Sequence, residues 1–374
     1  MGLPVFVLLS SLLHGYIGWR LVPPLADLTP LPAAALALLL MASAVLLPVA
    51  LVVARRRSQP GADRLQWIGM TLLGLFSSLL VATLGRDVLL ALAGLLGAGG
   101  LQPLTAAVAA GGALLVTAWG FVNARRTAAV VDVDVPLAGL PAALQGFTIA
   151  QISDIHVGPT IKHGYLRAIV DKVNLMGADM VAVTGDLVDG SVHELGAHVA
   201  PLGALASRHG TFFVTGNHEY YSGAHAWITE LERIGVRVLM NEHVVLSHDA
   251  ARIVVAGVAD FGAHHFDPAH RSDPHAALAG APGRDEVVRV LLAHQPRSAT
   301  EAERAGAHVQ LSGHTHGGQF WPWNLFVPLQ QPFTAGLHRL QDLWVYVSRG
   351  TGYWGPPKRF GAPSEITRLR LIRA

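Results

Sequence analysis

Residues 313–319 read GHTHGGQ, and this short stretch decides how the rest of the sequence is interpreted. It follows residues 307–312, an apolar segment typical of a buried strand. Residues two apart in an extended segment point the same way, so His314 and His316 can face one spot. The flanking glycines let the backbone approach whatever lies there. The stretch therefore predicts a metal-binding turn, although a lone His-x-His pair is more often ordinary surface.

Four more apolar segments end in side chains that bind hard or borderline metals. These strand ends read Asp154-Ile155-His156, Gly185-Asp186-Leu187-Val188-Asp189, Gly216-Asn217-His218-Glu219 and His294-Gln295-Pro296. A helical segment follows each of the first three strand ends, at about 165–176, 195–207 and 226–234. Alternating strands and helices favour an α/β layered fold, whose strand carboxyl ends converge on a site. Because five such ends rarely arise for structural reasons alone, the sequence predicts one shared metal site.

The composition divides the chain near Arg125-Arg126. Up to this point there are eight arginines and three aspartates, but no lysine and no glutamate. We therefore predict a transmembrane helical region at 1–126 and a soluble domain at 127–374. The chain has no cysteine, so a metal must be held by His, Asp, Glu or Asn. Its basic residues form no runs interleaved with aromatics, and we expect no nucleic-acid partner.

Four segments of the first region are apolar enough to cross a membrane, which takes about 20 residues. They are residues 3–19, 31–53, 67–84 and 104–122. An interfacial anchor helix is the alternative for the first. Residues 88–98 are interpreted as an interfacial or re-entrant piece, with a fifth span as the competing interpretation.

The arginines predict the orientation of these spans. Arg55-Arg56-Arg57 and Arg64 lie in the second loop, and Arg125-Arg126 follow the last span. Cytoplasmic loops are enriched in Lys and Arg. Four spans place both clusters in the cytoplasm, whereas five would place one outside. We expect a multi-pass protein of the inner or plasma membrane, if bacterial, with a cytoplasmic catalytic domain.

The five strand-end motifs, in this order, resemble those of the calcineurin-like metallophosphoesterase superfamily: D-x-H, G-D-x-x-D, G-N-H-E, a lone H and G-H-x-H. The resemblance covers about 147–372. The apolar region, with the stretches at 317–319 and 350–352, resembles the membrane-anchored branch of that superfamily. The resemblance implies an αββα two-sheet sandwich, preceded here by the transmembrane helices, and a dinuclear metal centre.

The resemblance also assigns roles to individual residues. The first metal would be bound by Asp154, His156, Asp186 and His316. The second would be bound by Asp186, Asn217, His294 and His314, so that Asp186 bridges the two. Such ligands suit Mn, Fe or Zn. Two divalent ions about 3.5–4 Å apart can share a water, lower its pKa and hold a phosphoryl group for in-line attack.

His218 follows a predicted ligand, and the resemblance implies that it faces the phosphate. It would stabilise developing charge or act as a general acid; a spectator role is the alternative. Asp189 could orient or charge this imidazole, and a helix N-cap is its alternative. We interpret Glu219 as structural.

The expected activity is metal-dependent phosphoester hydrolysis, most simply by a phosphodiesterase or pyrophosphatase. A lipid-linked or membrane-proximal substrate is suggested by the aromatic run at 320–326, which could be an apolar rim or core packing. The membrane-anchored members include enzymes that trim nucleotide-linked lipid precursors. The alternatives are a non-catalytic scaffold or transport-associated protein, and a protein phosphatase.

Two further sets of residues have open interpretations. Arg349, Lys358 and Arg359 could contact phosphate or lie on a solvated surface. Four histidines follow Asp260 in an irregular stretch, and we interpret this stretch as a surface loop or substrate lid rather than a separate metal site. They are His264, His265, His270 and His275.

Overall fold

The chain is described by a computed structural model, which covers residues 3–53 and 61–374. It divides into two units. The first comprises Met1–Arg125 and Gly355–Phe360, and the second comprises Arg126–Trp354 and Gly361–Ala374. The cluster Arg55-Arg56-Arg57, on which the predicted orientation partly depends, lies outside the described residues.

Among its described residues, the first unit contains four helices that are long and apolar enough to cross a membrane. Helices α1 to α4 span Leu3–Ala26, Pro30–Val53, Ala62–Leu95 and Gln102–Arg125. The prediction of four apolar helices is confirmed. The interpretation of residues 88–98 as a separate piece is wrong, because α3 continues through Leu95. The Asp87 carboxylate of this helix has a partner inside the unit, because the Arg20 guanidinium donates to it at 2.8 Å.

The segment Gly355–Phe360 packs among α3 and α4, although it lies far along the chain from them. The Lys358 ammonium donates to the backbone carbonyl of Gly74 at 3.0 Å. The backbone N–H of Arg359 donates to the carbonyl of Gly120 at 2.8 Å. Both cationic side chains are buried. The interpretation of these two residues as phosphate contacts or surface groups is therefore wrong.

The second unit is built on two six-stranded sheets. In chain order the strands are β1 Ala129–Leu137, β2 Thr148–Ile152, β3 Met180–Val183, β4 Thr211–Phe213, β5 Arg237–Val238, β6 Glu242–His248, β7 Ala251–Gly257, β8 Val288–Leu292, β9 Val309–Ser312, β10 Gly336–Leu340, β11 Leu343–Val347 and β12 Glu365–Arg373. The first sheet has the order β1-β12-β2-β3-β4-β5, and the second has the order β10-β11-β9-β8-β7-β6. Neighbouring strands are parallel except in the pairs β12/β2, β10/β11 and β6/β7.

The helices of this unit are short. They are α5 His163–Asn174, α6 Val192–Val199, α7 Asn217–Ser222, α8 Ala224–Arg233, α9 Pro274–Leu278 and α10 Ala299–Arg304. The helix predicted at 195–207 ends earlier, at Val199, and continues as a 3-10 turn over Ala200–Ala204. Pro201 has no N–H for the α-helical ladder, which explains the tighter turn.

Alternating apolar side chains join the two sheets face to face. In β8, Val290 and Leu292 belong to the core between the sheets, whereas Leu291 faces the opposite side and packs in a cluster with Ala302 of α10. This two-sided burial explains why the central strands read as continuous apolar runs. The arrangement is the predicted αββα sandwich, preceded by apolar helices. Its parallel strands β2, β3, β4, β8 and β9 place their carboxyl ends, and the residues after them, where a site can form.

Candidate metal centre

The residues that follow β2, β3, β4, β8 and β9 include all nine predicted site residues. The seven predicted ligands are Asp154, His156, Asp186, Asn217, His294, His314 and His316. Six of these fall into two groups, Asp154/His156/His316 and Asp186/His294/His314. Within each group, one potential ligand atom per residue lies within 4.8 Å of the others. Side chains up to 162 residues apart in sequence are thus brought together.

In the first group, the Nε2 atoms of His156 and His316 lie 3.0 Å apart. His316 Nε2 is also 3.6 Å from a carboxylate oxygen of Asp154. The Nδ1–H of His156 can donate to Asp189 Oδ1, 3.1 Å away, which leaves a lone pair on Nε2. A carboxylate partner of this kind is what usually fixes the tautomer of a metal-binding histidine.

In the second group, His294 Nε2 lies 3.1 Å from Asp186 Oδ2 and 3.2 Å from His314 Nδ1. The Nδ1–H of His294 donates to the backbone carbonyl of Thr184 at 2.7 Å, so Nε2 is the nitrogen that would bind a metal once it releases its proton. The same Asp186 oxygen is 4.0 Å from His156 Nε2 in the first group. Asp186 therefore lies between the two groups, as a bridging carboxylate would.

The donor set fits divalent cations. Asn217 Oδ1 is buried and has no hydrogen-bond partner among the described residues. A buried carbonyl oxygen without a partner costs free energy unless a cation or donor reaches it. The centre also attracts positive charge: although burial lowers the pKa of His294, the carboxylates of Asp186 and Asp154 outweigh this effect and raise its pKa well above the ordinary value.

The backbone at these ligands is strained. Asp154, His156, Asp186, His314 and His316 all have positive φ angles, between 51° and 71°. Non-glycine residues adopt this left-handed region infrequently. Such conformations cost about 1–3 kcal/mol each and concentrate at functional sites. The contacts around these five residues must offset this cost in free energy, and they hold the five side chains in place.

His218 and Asp189 form a tight pair beside the first group. His218 Nδ1 lies 2.6 Å from Asp189 Oδ1, the same oxygen that accepts from His156. Burial lowers the pKa of His218, but the hydrogen bond to Asp189 and the nearby carboxylate of Asp186 outweigh it and raise the pKa to about 9. Burial opposes ionisation of Asp189, yet the charges and hydrogen bonds of the two imidazoles hold its pKa below the ordinary value.

Other shifts follow from burial and from neighbouring charge. Burial raises the pKa of Asp154. Burial would also raise the pKa of Asp186, but His294 outweighs it and holds the pKa well below the usual range. Burial lowers the pKa of His314 to about 3, and the charge of His294 adds to the effect. His314 is therefore a neutral imidazole with a lone pair available.

Glu219 holds the backbone of the centre together, as the structural interpretation expects. It is fully buried and accepts from the N–H groups of Asp186, Leu187 and Gly216 at 3.0, 2.8 and 2.6 Å. Burial raises its pKa to about 8, against the N–H donors that favour its charged form. Gly185 lies beside these N–H groups, where a larger residue would not fit. A Cβ there would lie 2.6 Å from the nitrogen of Gly216, and the φ of Gly185 is +86°.

Several residues around the centre carry no signal in the sequence. Thr184 orients His294 through its carbonyl, and the rings of Tyr221 and Trp354 lie 5.2 and 5.7 Å from the ring of His218. No local signal could have identified them, because they act through a backbone atom or through ring contacts. Arg349 donates to Glu365 at 2.8 Å, a contact that no sequence pattern indicated.

The aromatic run at 320–326 is divided between core and surface. Phe320 is buried, whereas Trp321, Trp323 and Phe326 are 53%, 43% and 52% exposed. The run is adjacent to the predicted ligand turn, because Gly318 packs directly against the backbone of Asn324. Exposed apolar side chains therefore begin within a few residues of the turn that carries His316.

Comparisons with known proteins identify the family to which this domain belongs. The family model for calcineurin-like phosphoesterases matches residues 147–318. A Danio rerio protein named "Transmembrane protein with metallophosphoesterase domain" is 39% identical over 274 residues, covering 70% of this chain and 62% of that protein. An "Uncharacterized metallophosphoesterase" of Aquifex aeolicus is 31% identical over 225 residues, covering 60% of this chain and 84% of that protein.

The chain spans about three-fifths of the length of the first of these relatives. Among solved structures, the Haemophilus influenzae NAD nucleotidase has a TM-score of 0.42 and 16% identity, covering 55% of this chain and 45% of that one, a similarity too distant to bear on function. With the five motifs, the two sheets and the converging ligands, the chain belongs to the calcineurin-like phosphoesterase family, whose domain implies metal-dependent phosphoester hydrolysis, and the chain also contains an apolar membrane region.

Proposed function

We propose that this protein is a membrane-anchored phosphodiesterase or pyrophosphatase that acts on a lipid-linked or membrane-proximal substrate. The observation that carries the proposal is the convergence of six predicted ligand side chains in two adjacent groups, one of which contains Asp186, with the buried Asn217 oxygen lacking a partner among the described residues. Asp154, His156, Asp186 and His316 would hold one divalent ion, and Asp186, Asn217, His294 and His314 would hold a second. Mn, Fe or Zn suits this set.

Bound divalent ions would supply Lewis acidity that polarises a phosphoryl group and acidifies water. The residues of the chain would do the rest. His218, held by Asp189 through Nδ1, can present the proton of Nε2 to the leaving oxygen of the ester. A pKa near 9 makes His218 a cation at neutral pH, and cations bound nearby would bring this pKa down toward neutrality. Asp189 would position both this acid and His156.

The exposed aromatic rim supports a substrate with an apolar part. Trp321, Trp323 and Phe326 present their rings to solvent next to the turn that carries His316. Exposed tryptophans are favoured where an apolar surface meets water. A phosphorylated headgroup could then lie at the metals while its chain contacts this rim.

The arginine distribution supports a cytoplasmic location of the catalytic domain. Arg64, Arg125 and Arg126 flank the helices on the side that four spans place inside, together with the cluster at 55–57. A reporter fused after Ala374 that is active only in the cytoplasm should give signal. Signal from a reporter active only outside would contradict this orientation.

The activity is tested with full-length protein in detergent and added Mn²⁺. A chromogenic phosphodiester, a pyrophosphate and a phosphomonoester are compared, with purified wild type, His218→Ala, Asp186→Asn and Arg167→Ala as an exposed control on α5. We expect diester or pyrophosphate turnover, a decrease of 10²- to 10⁴-fold in His218→Ala, and no change in the control. Activity no higher than that of Asp186→Asn would favour a non-catalytic scaffold, and activity on the monoester alone would favour a phosphatase.

The lipid-linked substrate needs its own test. Turnover of a diester lipid in mixed micelles is compared with turnover of the soluble chromogenic diester. The double variant Trp321→Ala, Trp323→Ala should lose about 100-fold on the lipid, because two apolar contacts of about 1.5 kcal/mol each are removed, and should keep its activity on the soluble diester. Equal turnover of the lipid by the variant and the wild type would contradict the rim hypothesis while leaving the hydrolase proposal intact.

A further inference from the structure

A further cluster of side chains of metal-binding type lies outside the predicted dinuclear centre. It consists of His225 in the first turn of α8 and of Asp267 and His270, which flank and close a 3-10 turn. One potential ligand atom of each lies within 4.8 Å of the others. His225 Nε2 is 2.9 Å from Asp267 Oδ2, and His270 Nε2 is 3.9 Å from the same oxygen. We call these three residues the His225 cluster.

Each of the two loop residues has its other polar atom engaged elsewhere. Asp267 Oδ1 accepts from the backbone N–H of Ala269 at 2.9 Å, which leaves Oδ2 facing the two imidazoles. His270 Nδ1 lies 2.9 Å from the Tyr220 hydroxyl oxygen. With Nδ1–H donating to that oxygen, His270 Nε2 carries a lone pair toward the cluster. Ligands oriented by a second hydrogen bond in this way are the usual construction of a metal site.

The spacing of the three atoms suits a small tetrahedral ion. Ligands about 2.0–2.1 Å from Zn²⁺ in tetrahedral geometry lie about 3.3 Å from one another. The two separations from Asp267 Oδ2, 2.9 Å to His225 Nε2 and 3.9 Å to His270 Nε2, lie on either side of that value. Because the His225 side chain is exposed, water can reach the open fourth position. Two imidazoles and one carboxylate are typical zinc ligands.

We propose that the His225 cluster binds one Zn²⁺, separate from the predicted dinuclear centre. The ion would replace the direct contact between His225 and Asp267 and join α8 to the loop at 267–270. From the sequence, this stretch is interpreted as a surface loop or substrate lid rather than a separate metal site. The structure adds a third residue, His225, from 42 positions earlier in the chain, which the loop sequence could not reveal.

Such an ion would stabilise a chain of ring contacts that leads to the predicted general acid. Phe266 precedes Asp267, and its ring lies 5.5 Å from the ring of Tyr221. The Tyr221 ring in turn lies 5.2 Å from that of His218. Binding of zinc at the His225 cluster would therefore order the loop that packs against α7, the helix in which His218 lies.

The test measures zinc bound by the full-length protein in detergent, by equilibrium dialysis against buffered Zn²⁺ followed by metal analysis. The double variant His225→Ala, His270→Ala should bind one Zn²⁺ fewer per chain than the wild type. His265→Ala, an exposed histidine of the same loop outside the cluster, is the control and should bind as many as the wild type. Tyr220→Phe keeps all three ligands but loses the acceptor of His270 Nδ1–H, so its zinc affinity at this site should fall about 10- to 100-fold.

Hydrogen exchange of residues 263–270 with and without Zn²⁺ provides a readout that does not depend on activity. Protection of this loop should increase with zinc in the wild type and in the background Asp154→Asn, Asp186→Asn, where the dinuclear centre is disabled. Equal zinc content in the wild type and the double variant, or an equal loss in His265→Ala, would overturn the proposal. If Asp154→Asn, Asp186→Asn were the only substitutions that lowered the zinc content, the proposal would also be overturned, and the proposed hydrolase centre would remain supported.

Discussion

Gly352 offers a sharp test of how the predicted ligands Asp154 and His156 are positioned. A Cβ at this residue would lie 2.8 Å from both the Cα and the carbonyl carbon of Ile155, and closer still to its oxygen. Ile155 separates the two ligands, so its peptide unit cannot move without them. Gly352→Ala therefore acts on the centre without changing any predicted ligand.

The size of the effect follows from these distances. Ordinary van der Waals contact begins at about 3.4 Å, so the Ile155 peptide must be displaced by about 1 Å. It cannot separate freely, because the Gly352 N–H donates to the Asp154 carbonyl at 3.1 Å. A misplacement of about 1 Å at a reacting centre can cost 10²-fold in rate. Overpacking of this kind also lowers the free energy of unfolding by about 1–3 kcal/mol.

The assay combines metal content with turnover of the chromogenic diester by purified full-length protein. Gly352→Ala should lose about 10²-fold in kcat/KM and should bind less metal in the first group of ligands. Gly164→Ala is the matched control, because a Cβ there meets nothing within 4 Å and the residue lies in the first turn of α5. If Gly352→Ala retained activity within threefold of the wild type with unchanged metal content, the claim that this close approach positions the ligands would be refuted.

Two further predictions concern stability. At about pH 9, above its pKa of about 8, Glu219 is ionised, and Glu219→Gln should then lower the free energy of unfolding by about 1–3 kcal/mol and reduce metal content, because the amide presents N–H where backbone N–H groups need an acceptor; an unchanged melting temperature at this pH would contradict the prediction. Burial and the charges of Arg284 and Arg289 lower the pKa of His308 to about 4 in the folded protein. As the pH falls, His308 is therefore protonated in the unfolded chain before it is protonated in the folded protein. The stability that neutral His308 contributes, no more than about 3 kcal/mol, is complete above about pH 6.5 and is lost between about pH 6.5 and 4. His308→Asn keeps an acceptor for the Arg289 N–H and should flatten the dependence of melting temperature on pH in this window; an identical pH profile for both proteins would contradict the assignment.

Much of the architecture could be predicted from local patterns. Apolar runs bounded by polar clusters predicted strands such as β3 and β9, because a strand buried on both faces must be apolar throughout. The five clusters could be assigned to one site because parallel strands share an edge for their carboxyl ends. The four apolar helices followed from length and hydropathy alone.

Other features depend on contacts that no local pattern contains. The α3 helix continues past residue 87 because Asp87 finds a partner in Arg20, far away in sequence. The buried Lys358 belongs with α3 and α4 rather than with phosphate, since Gly74 supplies a carbonyl and the small residue leaves space. A cationic side chain in a loop reads as a surface group until such a partner is known.

The sequence by itself determined the chemistry of this protein: which strand ends carry carboxylates, imidazoles and an amide, and that they belong to a metal-dependent phosphoesterase domain with an apolar region beside it. Only the tertiary structure decided how these groups are arranged. It placed one Asp186 oxygen between two histidine groups, gave Asp189 two imidazole partners, and brought His225 to Asp267 and His270. The physical reason is that ligand type is a property of single residues, whereas tautomer, lone-pair direction and separation are set by neighbours that folding brings from elsewhere in the chain.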